Sequence, residues 1–240
     1  MIIVQNVAGR EMKLSDEDYK RLKDSGFKMI VLDKEPVVVK PTDSVMYTAC
    51  VDYKVKRDDI KCFGDEQIFK RPVMEAKRYK ALPHKFFKND YTIWIDGNIH
   101  FKESNDYAIA RFLKDNDIAI FRHPYRDTVW QEFEVLQKQD RFKIEWLQKQ
   151  LKEQKKFYKE EGLPDLTPLW ECNFIICKNT PEVNRLMEAW WSEICRWQWR
   201  DQVSFPYVMW KYGQGIKMRT IEEGNIRMHK LFKHNDSYAK

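Results

Sequence analysis

The chain has 240 residues and a formal net charge of +6, with 43% apolar residues, 14% aromatic residues and nine tryptophans. This composition excludes a disordered chain, and the length allows one large domain or one domain with an appended arm. No apolar run reaches the roughly 18–20 residues that span a bilayer, and the start of the chain lacks the pattern of a signal peptide, so we expect a soluble, cytoplasmic protein.

Residues 1–43 are predicted to form a small N-terminal accessory segment. A strand or hairpin is expected over residues 2–7, and Ser15 is a suitable N-cap for a short helix that ends near Gly26. The main domain is then expected to occupy residues 44–240.

The main domain alternates predicted strands with predicted helices. Strands are expected at 45–52, 91–96, 117–121 and 172–177, and helices at 73–82, 104–114, 129–161 and 181–197. This alternation predicts a layered α/β domain. Ligands of such sheets bind beyond the carboxyl ends of the strands. We therefore expect Tyr47, Thr48 and Asp52 on the first strand to share a cleft with the residues that end the second strand.

The densest run of basic residues directly precedes the second strand and is interleaved with aromatic residues. It comprises Lys77, Arg78, Lys80, His84, Lys85 and Lys88. A diphosphate, an anionic membrane surface or nucleic acid would each suit such a run. A second basic run, at 149–159, falls within the predicted helix 129–161, which contains no glycine or proline. We expect that run to be a solvated face, on a helix that protrudes toward an acceptor or a second subunit.

The second strand ends on Asp96, Gly97 and Asn98. A carboxylate at the end of a buried strand requires a partner or a metal. Asp96 and Asn98 lie two residues apart, so their oxygens can reach one hard cation, while Gly97 lets a ligand approach the backbone. A triplet of this kind is at least as often a plain strand-ending turn, and the triplet alone leaves both interpretations open.

Two further polar pairs stand at the ends of predicted elements. Glu171 and Asn173 lie at the start of an apolar run that is predicted to be a strand. Asp201 and Gln202 begin a predicted helix, where a carboxylate is either an N-cap or a functional group.

The cysteines, at 50, 62, 172, 177 and 195, form an odd set without Cys-x-x-Cys spacing. Reduced core thiols are expected, and neither a disulfide framework nor zinc ligands.

Several motifs occur in an order that resembles a known family. They are the segments 78–87, 94–98, 121–126, 171–173 and 200–205. Over about residues 45–213, the chain resembles the glycosyltransferase-like family first catalogued as domain of unknown function 616. That family is similar to GT-A glycosyltransferases, and in layout to those of family 8. The resemblance implies a GT-A-like, Rossmann-like mixed sheet flanked by helices, with His123 in a cleft wall and not as a catalyst.

The resemblance also implies the roles of individual residues. The donor-binding residues would be Tyr47, Thr48, Arg78, Lys80, His84, Asp96, Gly97, Asn98 and Asn173. The catalytic residues would be Asp201, Gln202 and Glu171. Asp96 and Asn98 would hold Mn²⁺ or Mg²⁺ between the two donor phosphates, and His229 or His234 would be a third ligand that favours Mn²⁺. Because Asn98 replaces the second acid of the usual motif, it either binds the metal or hydrogen-bonds to phosphate or sugar.

These observations predict a metal-dependent glycosyltransferase that moves a sugar from a nucleotide-diphosphate sugar to an acceptor, in the synthesis of a surface polysaccharide. The expected partners are the nucleotide sugar, a glycan or lipid-linked acceptor and an anionic membrane contacted peripherally, but no nucleic acid. The competing classes are a non-enzymatic anion- or RNA-binding module and a metal-dependent nucleotidyltransferase. Against the first class, the chain carries no RNA-binding signature, and such a module would not need Asp96 and Asp201 at the ends of elements. The second normally carries a glycine-rich phosphate loop, whereas this chain has only eight glycines.

Overall fold

The N-terminal part of the chain forms a small antiparallel sheet. The structure is a computed structural model that describes residues 2–6, 11–24, 29–31, 37–51, 57–64, 67–140 and 143–235. Strand β1 (Ile2–Asn6) pairs with both β2 (Glu11–Leu14) and β3 (Met29–Val31), and helix α1 (Asp16–Asp24) lies between β2 and β3 in the chain.

The helix start predicted in this part is confirmed. The Ser15 hydroxyl oxygen accepts a hydrogen bond from the backbone N–H of Asp18 at 3.0 Å, as an N-cap does. Val7 and Gly26, where the first strand and the helix were expected to end, lie outside the described residues, as does Asp52. A domain boundary at residue 44 stays a prediction.

A mixed sheet forms the centre of the main domain. The strands of this part are β4 (Ser44–Ala49), β5 (Lys61–Phe63), β6 (Tyr91–Ile95), β7 (Ile99–Phe101), β8 (Ile118–Arg122), β9 (Trp170–Lys178), β10 (Met218–Ile221) and β11 (Phe232–His234). In the described part of the chain, the sheet order is β10-β8-β9-β6-β4-β5, and β7 pairs separately with β11. Strand β9 runs antiparallel to both its neighbours, whereas the other neighbouring strands are parallel. The start of β9 therefore lies at the same edge as the carboxyl ends of β4, β6 and β8.

Helices cover the sheet. They are α2 (Pro72–Ala81), α3 (Asn105–Ala108), α4 (Val129–Lys138), α5 (Glu145–Glu160), α6 (Pro181–Arg196) and α7 (Asp201–Tyr212), with a 3₁₀ helix Pro83–Lys85 after α2 and a π-helical turn Ile109–Leu113 after α3. One face of the sheet packs against α2, α4, α5, α6 and α7, and the other against the π-helical turn, β7 and β11. The predicted mixed sheet flanked by helices is thus confirmed. Among the described residues, no helix is both long enough and apolar enough to cross a bilayer.

The prediction of a single helix over 129–161 is wrong, because α4 and α5 are separate helices. Leu147 and Tyr158 on one face of α5 are completely buried, so α5 packs on the core and does not protrude. Its opposite face is solvated as expected, with the side chains of Lys149 and Lys156 each 76% exposed.

Strand β9 carries a bulge where it runs beside β8. Ile120 of β8 lies opposite Ile175, but the next residue, Phe121, lies opposite Glu171. Residues 172–174 therefore have no partner on β8. Bulges bend a strand and re-aim its side chains, often beside an active site. This bulge lies where β9 passes the end of β6.

The cysteines are free, as expected. Cys50, Cys172 and Cys177 are buried, in agreement with the prediction of core thiols, whereas Cys195 is exposed.

Candidate functional site

The turn after β6 lies at the centre of the sheet edge. Asp96, Gly97 and Asn98 join β6 to β7, and the backbone N–H of Ile99 donates to the carbonyl of Asp96 at 2.9 Å. The N–H of Asp96 donates to the carbonyl of Asn173 at 2.9 Å, which ties the turn to the bulge of β9. The Asp96 side chain is 40% exposed, so its carboxylate is accessible to a ligand.

Gly97 brings this turn close to the end of β4. A Cβ atom at this position would lie 3.1 Å from Cys50 Sγ and 3.6 Å from Thr48 Oγ1, so the backbone approaches β4 closely. The guanidinium of Arg57 also holds the turn, since it donates to the carbonyl of Ile99 at 2.7 Å. Arg57 could not be predicted as a site residue, because it lies in a polar stretch without a motif.

The C-terminal strand brings one of the two tail histidines to the turn. Because β11 pairs with β7, the side-chain amide nitrogen of Asn98 lies 3.1 Å from His234 Nε2. His229 lies in the core, where its Nε2 is 3.1 Å from Glu223 Oε2 and its Nδ1 accepts from the N–H of Leu231 at 3.2 Å. Both ring nitrogens of His229 are engaged, so this geometry gives no support to a metal role for His229.

A buried ion network lies beside the turn. Asp201 Oδ2 is 2.5 Å from Lys77 Nζ and 2.9 Å from Lys80 Nζ, and Asp201 is only 3% exposed. Lys80 also donates to the carbonyl of Cys172 at 2.7 Å and contacts Asp96 Oδ1 at 3.1 Å. An ammonium group has three N–H donors. Lys80 therefore links two carboxylates, and its three donors all have acceptors within the protein, so these contacts give no support to its predicted role in donor binding, which stays a prediction.

The network keeps Asp201 and Lys80 charged, whereas burial lowers the pKa of Lys77 against the opposing effect of the Asp201 carboxylate. Burial by itself raises the pKa of Asp201, but the ammonium groups of Lys77 and Lys80 outweigh burial and hold the pKa well below its usual range. Burial likewise lowers the pKa of Lys80, but the carboxylates of Asp201 and Asp96 reverse the shift and hold it above its usual range. At neutral pH, Asp201 is consequently a carboxylate that does not take up a proton.

Helix α7 begins at Asp201, as predicted. The interpretation of Asp201 as the N-cap is wrong, because Arg200 occupies the N-cap position and no side chain caps the helix. Sequence reasoning did not single out Lys77 as a site residue, although its spacing of three residues from Lys80 places both on one side of α2.

Several side-chain oxygens at this edge are buried and have no hydrogen-bond partner among the described residues. They are Thr48 Oγ1, Glu171 Oε2, Asn173 Oδ1 and Gln202 Oε1. They make up half of the eight such polar atoms in the described ranges, and they come from β4, β9 and α7. Buried polar atoms are normally paired, because leaving one unpaired costs about 1–3 kcal/mol. Their common position at one edge indicates a place for a polar ligand.

Glu171 is the titratable group of this set, and it is 9% exposed. Burial raises the pKa of Glu171 to about 7 against the opposing effects of the Asn173 side chain, Arg227 and the backbone of Ile226, while the Asp96 carboxylate adds to the rise. A carboxyl group with a pKa near neutrality can both take up and release a proton at physiological pH.

Tyr47 was expected at the donor site but lies in the core. It is 1% exposed, and its hydroxyl donates to the carbonyl of Lys80 at 3.3 Å. Its ring packs against Phe87 and Trp94. The ring therefore offers no free face on which a nucleotide base could stack.

Arg78 and His84 also lie away from the turn. Successive positions on a helix differ by about 100°, so Arg78 points away from the face of α2 that carries Lys77. Its Nε instead donates to Glu75 Oε1 at 2.7 Å. His84 Nε2 is 3.1 Å from Glu188 Oε1, and His84 lines a small cavity at the start of β6 and the end of β9. That cavity lies at the opposite edge of the sheet, so the structure does not bring His84 to the turn, and the contacts of Arg78 are with Glu75 and not with the turn.

The basic run at 77–88 does not form one cationic surface. The side chains of Lys77 and Lys80 are 17% and 3% exposed, and both contact Asp201. Lys85 Nζ pairs with Glu188 Oε1 at 2.5 Å. Because these charges are neutralised within the protein, the run gives little support to the expected contact with an anionic membrane.

The turn offers ligands that fit a divalent metal ion. Within the described ranges, no three His, Cys, Asp or Glu side chains lie together as a ready metal centre. The turn does present the exposed carboxylate of Asp96, the amide of Asn98 and the imidazole of His234. Hard oxygen ligands suit Mg²⁺ and Mn²⁺, and an imidazole suits Mn²⁺ better. So few protein ligands would leave coordination positions open for a further ligand.

The chain is similar to known proteins over the residues that form this sheet edge. The family model described as TOD1/MUCI70, glycosyltransferase-like domain, matches residues 60–235. This range includes the turn after β6, the start of β9, the start of α7 and the tail strand β11.

Individual proteins match this chain over shorter stretches than the family model does. The chain is 32% identical over 143 residues to the probable hexosyltransferase MUCI70 of Arabidopsis thaliana, a match that covers 54% of this chain but only 23% of that protein. Among solved structures, it is similar to mouse xyloside xylosyltransferase 1 in its apo form, with a TM-score of 0.34 and 14% identity over 60% of this chain and 50% of that one.

Proposed function

Since the chain belongs to the TOD1/MUCI70 glycosyltransferase-like family, we propose that it transfers a sugar from a nucleotide-diphosphate sugar to a glycan or glycolipid acceptor, in the synthesis of a surface polysaccharide. The reaction would take place at the sheet edge formed by the turn after β6 and the starts of β9 and α7. The similarity to a probable hexosyltransferase favours a hexose as the transferred sugar.

The observation that carries the proposal is the group of unpartnered buried oxygens. They belong to Thr48, Glu171, Asn173 and Gln202. Each of them costs stability until a ligand supplies a partner. A module that binds anions on its surface has no need of such a group, so the group favours a polar substrate that enters the edge.

The donor diphosphate would lie at the turn itself. A divalent ion held by Asp96, Asn98 and His234 would neutralise the charge that develops on the leaving diphosphate, and the imidazole favours Mn²⁺ over Mg²⁺. Thr48 on β4 and Asn173 on β9 lie on the two sides of the turn, and their free oxygens would accept hydrogen bonds from donor hydroxyl groups.

Glu171 and Asp201 would then have different roles. The pKa of Glu171, raised by burial to about 7, suits it to take the proton of the acceptor hydroxyl as the new glycosidic bond forms. Asp201 is ionised and engaged by two lysines, so it would position Lys80 beside Asp96. Gln202 follows Asp201 and would offer its free oxygen to a sugar hydroxyl.

The test is nucleotide release from a panel of UDP- and GDP-sugars in the presence of Mn²⁺ and a mixture of oligosaccharide acceptors. We expect the wild-type protein to release nucleotide from at least one donor. Asp96→Ala should reduce release by at least about a hundredfold, because several kcal/mol of charge stabilisation by the metal would be lost. The fold should be kept with a modest fall in melting temperature, because Lys80 still pairs with Asp201 although Trp94 Nε1 and Lys80 each lose an acceptor.

The matched control is Asp165→Ala, which removes an exposed carboxylate from the loop after α5 and should leave release unchanged. Full release by Asp96→Ala, or no release by the wild-type protein from any donor, would contradict the proposal.

A further inference from the structure

Tyr125 is an exposed aromatic residue that is held in a fixed position. It follows β8 and is 73% exposed. Its hydroxyl oxygen accepts a hydrogen bond from Asn225 Nδ2 at 2.8 Å, and its backbone N–H donates to His123 Nδ1 at 3.2 Å. An exposed tyrosine normally changes rotamer freely. Here hydrogen bonds hold the hydroxyl end of the ring and the backbone of the residue, while most of the residue remains exposed.

The anchor at the backbone end is itself rigid. His123 is 7% exposed, and its Nδ1 also accepts from the N–H of Arg126 at 3.2 Å. Burial and the guanidinium of Arg126 lower the pKa of His123 to about 4. His123 therefore stays neutral near physiological pH, with Nδ1 facing the turn that carries Tyr125 and Nε2 2.8 Å from Arg126 Nη2.

Two connections place Tyr125 at the same sheet edge as Glu171. In the sheet, Phe121 of β8 lies opposite Glu171, only a few residues before Tyr125. In the loop before β11, Asn225 contacts Tyr125, and the backbone of the next residue, Ile226, hydrogen-bonds to the Glu171 carboxyl group. The same short loop thus touches both the exposed ring and the carboxyl group.

The position of Tyr125 in the sheet separates it from the donor. In the order β8-β9-β6-β4, Glu171 lies on β9, the turn that would hold the diphosphate follows β6, and Tyr125 follows β8. A donor that occupies the β6 and β4 side leaves the β8 side for the second substrate. A hydroxyl group that is to lose its proton to Glu171 would reach it from that side.

We propose that Tyr125 is the stacking platform for a pyranose ring of the acceptor oligosaccharide, one sugar away from the ring that reacts near Glu171. Tyrosine combines a large apolar face with a polar tip and has few rotatable bonds to immobilise. Because Asn225 and His123 hold the ring in advance, stacking the C–H face of a sugar on it costs little further ordering. Arg227, which is exposed and contributes to the electrostatics of Glu171, would donate hydrogen bonds to the sugar hydroxyls.

This inference rests on the proposed function, and its test separates the two. An oligosaccharide microarray is probed with the wild-type protein in the presence of UDP and Mn²⁺, and the best-bound oligosaccharide is then titrated by calorimetry. Tyr125→Ala should raise the dissociation constant of that oligosaccharide by about tenfold, the loss expected for one stacked ring. The dissociation constant of UDP with Mn²⁺ should not change.

Tyr212→Ala is the matched control, because Tyr212 is a 50% exposed tyrosine at the far end of α7. It should bind both ligands as the wild-type protein does. Tyr125→Phe removes the hydrogen bond from Asn225 but keeps the ring, so it should weaken oligosaccharide binding by about two- to threefold. Asn225→Ala removes that bond and also the one that Asn225 Oδ1 accepts from the N–H of Arg227 at 2.9 Å, so it should weaken binding at least as much.

Wild-type binding of the oligosaccharide by Tyr125→Ala, or the absence of any bound oligosaccharide on the array, would overturn the proposal. If the protein binds neither UDP nor GDP but loses oligosaccharide binding on Tyr125→Ala, the carbohydrate subsite stands and the glycosyltransferase function fails. If UDP binds and Tyr125→Ala has no effect, the function stands and the subsite fails.

Discussion

Asp201 and Glu171 are buried carboxyl groups at the same sheet edge, yet they lie in opposite environments. Burial raises the pKa of both groups. Asp201 faces two ammonium groups, which more than reverse this effect, whereas Glu171 has one oxygen without a partner and a second carboxylate, Asp96, nearby. The difference shows that neighbouring charges, and not burial, decide which carboxyl group can exchange a proton. Two titratable groups whose environments separate their pKa values often divide the acid-base and electrostatic roles of a site.

Glu171→Gln should act chiefly on turnover, and more strongly than the changes described below. Nucleotide release with an acceptor present should fall by about a hundredfold to ten-thousandfold, because an amide cannot take up the proton of the acceptor hydroxyl. The unfolding free energy should not fall, since the amide avoids the burial of a charge. Initial rates and urea unfolding measure the two quantities, with Glu160→Gln on the exposed face of α5 as the control. Unchanged turnover in Glu171→Gln would make Glu171 a structural residue.

The same chemical change at Asp201 should act chiefly on stability. Asp201→Asn leaves the ammonium groups of Lys77 and Lys80 buried without their main counter-charge. Breaking a buried ion network in this way costs about 3–5 kcal/mol of unfolding free energy. Guanidinium unfolding at pH 7 measures the loss. Equal unfolding free energies for Asp201→Asn and Glu171→Gln would contradict the conclusion that the two carboxyl groups lie in opposite environments.

The smallest expected effect is a pH dependence that belongs to Glu171. In the unfolded chain Glu171 loses its proton near pH 4.5, whereas in the folded protein it keeps the proton until about pH 7. The folded state therefore binds more protons within this window, and its stability falls as the pH rises through it, by on the order of 1–3 kcal/mol. Urea unfolding at a series of pH values should show this decline in the wild-type protein and a shallower one in Glu171→Gln. Parallel curves for the two proteins would contradict the raised pKa.

The ends of the main strands could be predicted from the sequence because apolar runs there stop abruptly at polar residues. Asp96 follows one such run and Glu171 precedes another, so their places at strand ends followed from the pattern alone. The antiparallel direction of β9, which puts both at one edge, is a property of the sheet order and has no local signal.

The contacts of individual side chains could not be predicted in the same way. Lys77 and Arg78 are adjacent in sequence, and only the packing of α2 turns the first toward Asp201 and the second toward Glu75. Likewise, His234 and not His229 reaches the turn because β7 and β11 pair. Strands of this length are too short to leave a periodic pattern.

We propose that the turn after β6 binds the diphosphate of a nucleotide through a metal ion. Calorimetric titration of UDP and of GDP into the wild-type protein, with and without Mn²⁺, tests this binding. We predict that one nucleotide binds, that binding requires Mn²⁺, that Asp96→Ala abolishes it, and that Asn98→Asp strengthens it by supplying a second carboxylate. Binding of equal strength with and without Mn²⁺, or an undiminished affinity in Asp96→Ala, would contradict the claim.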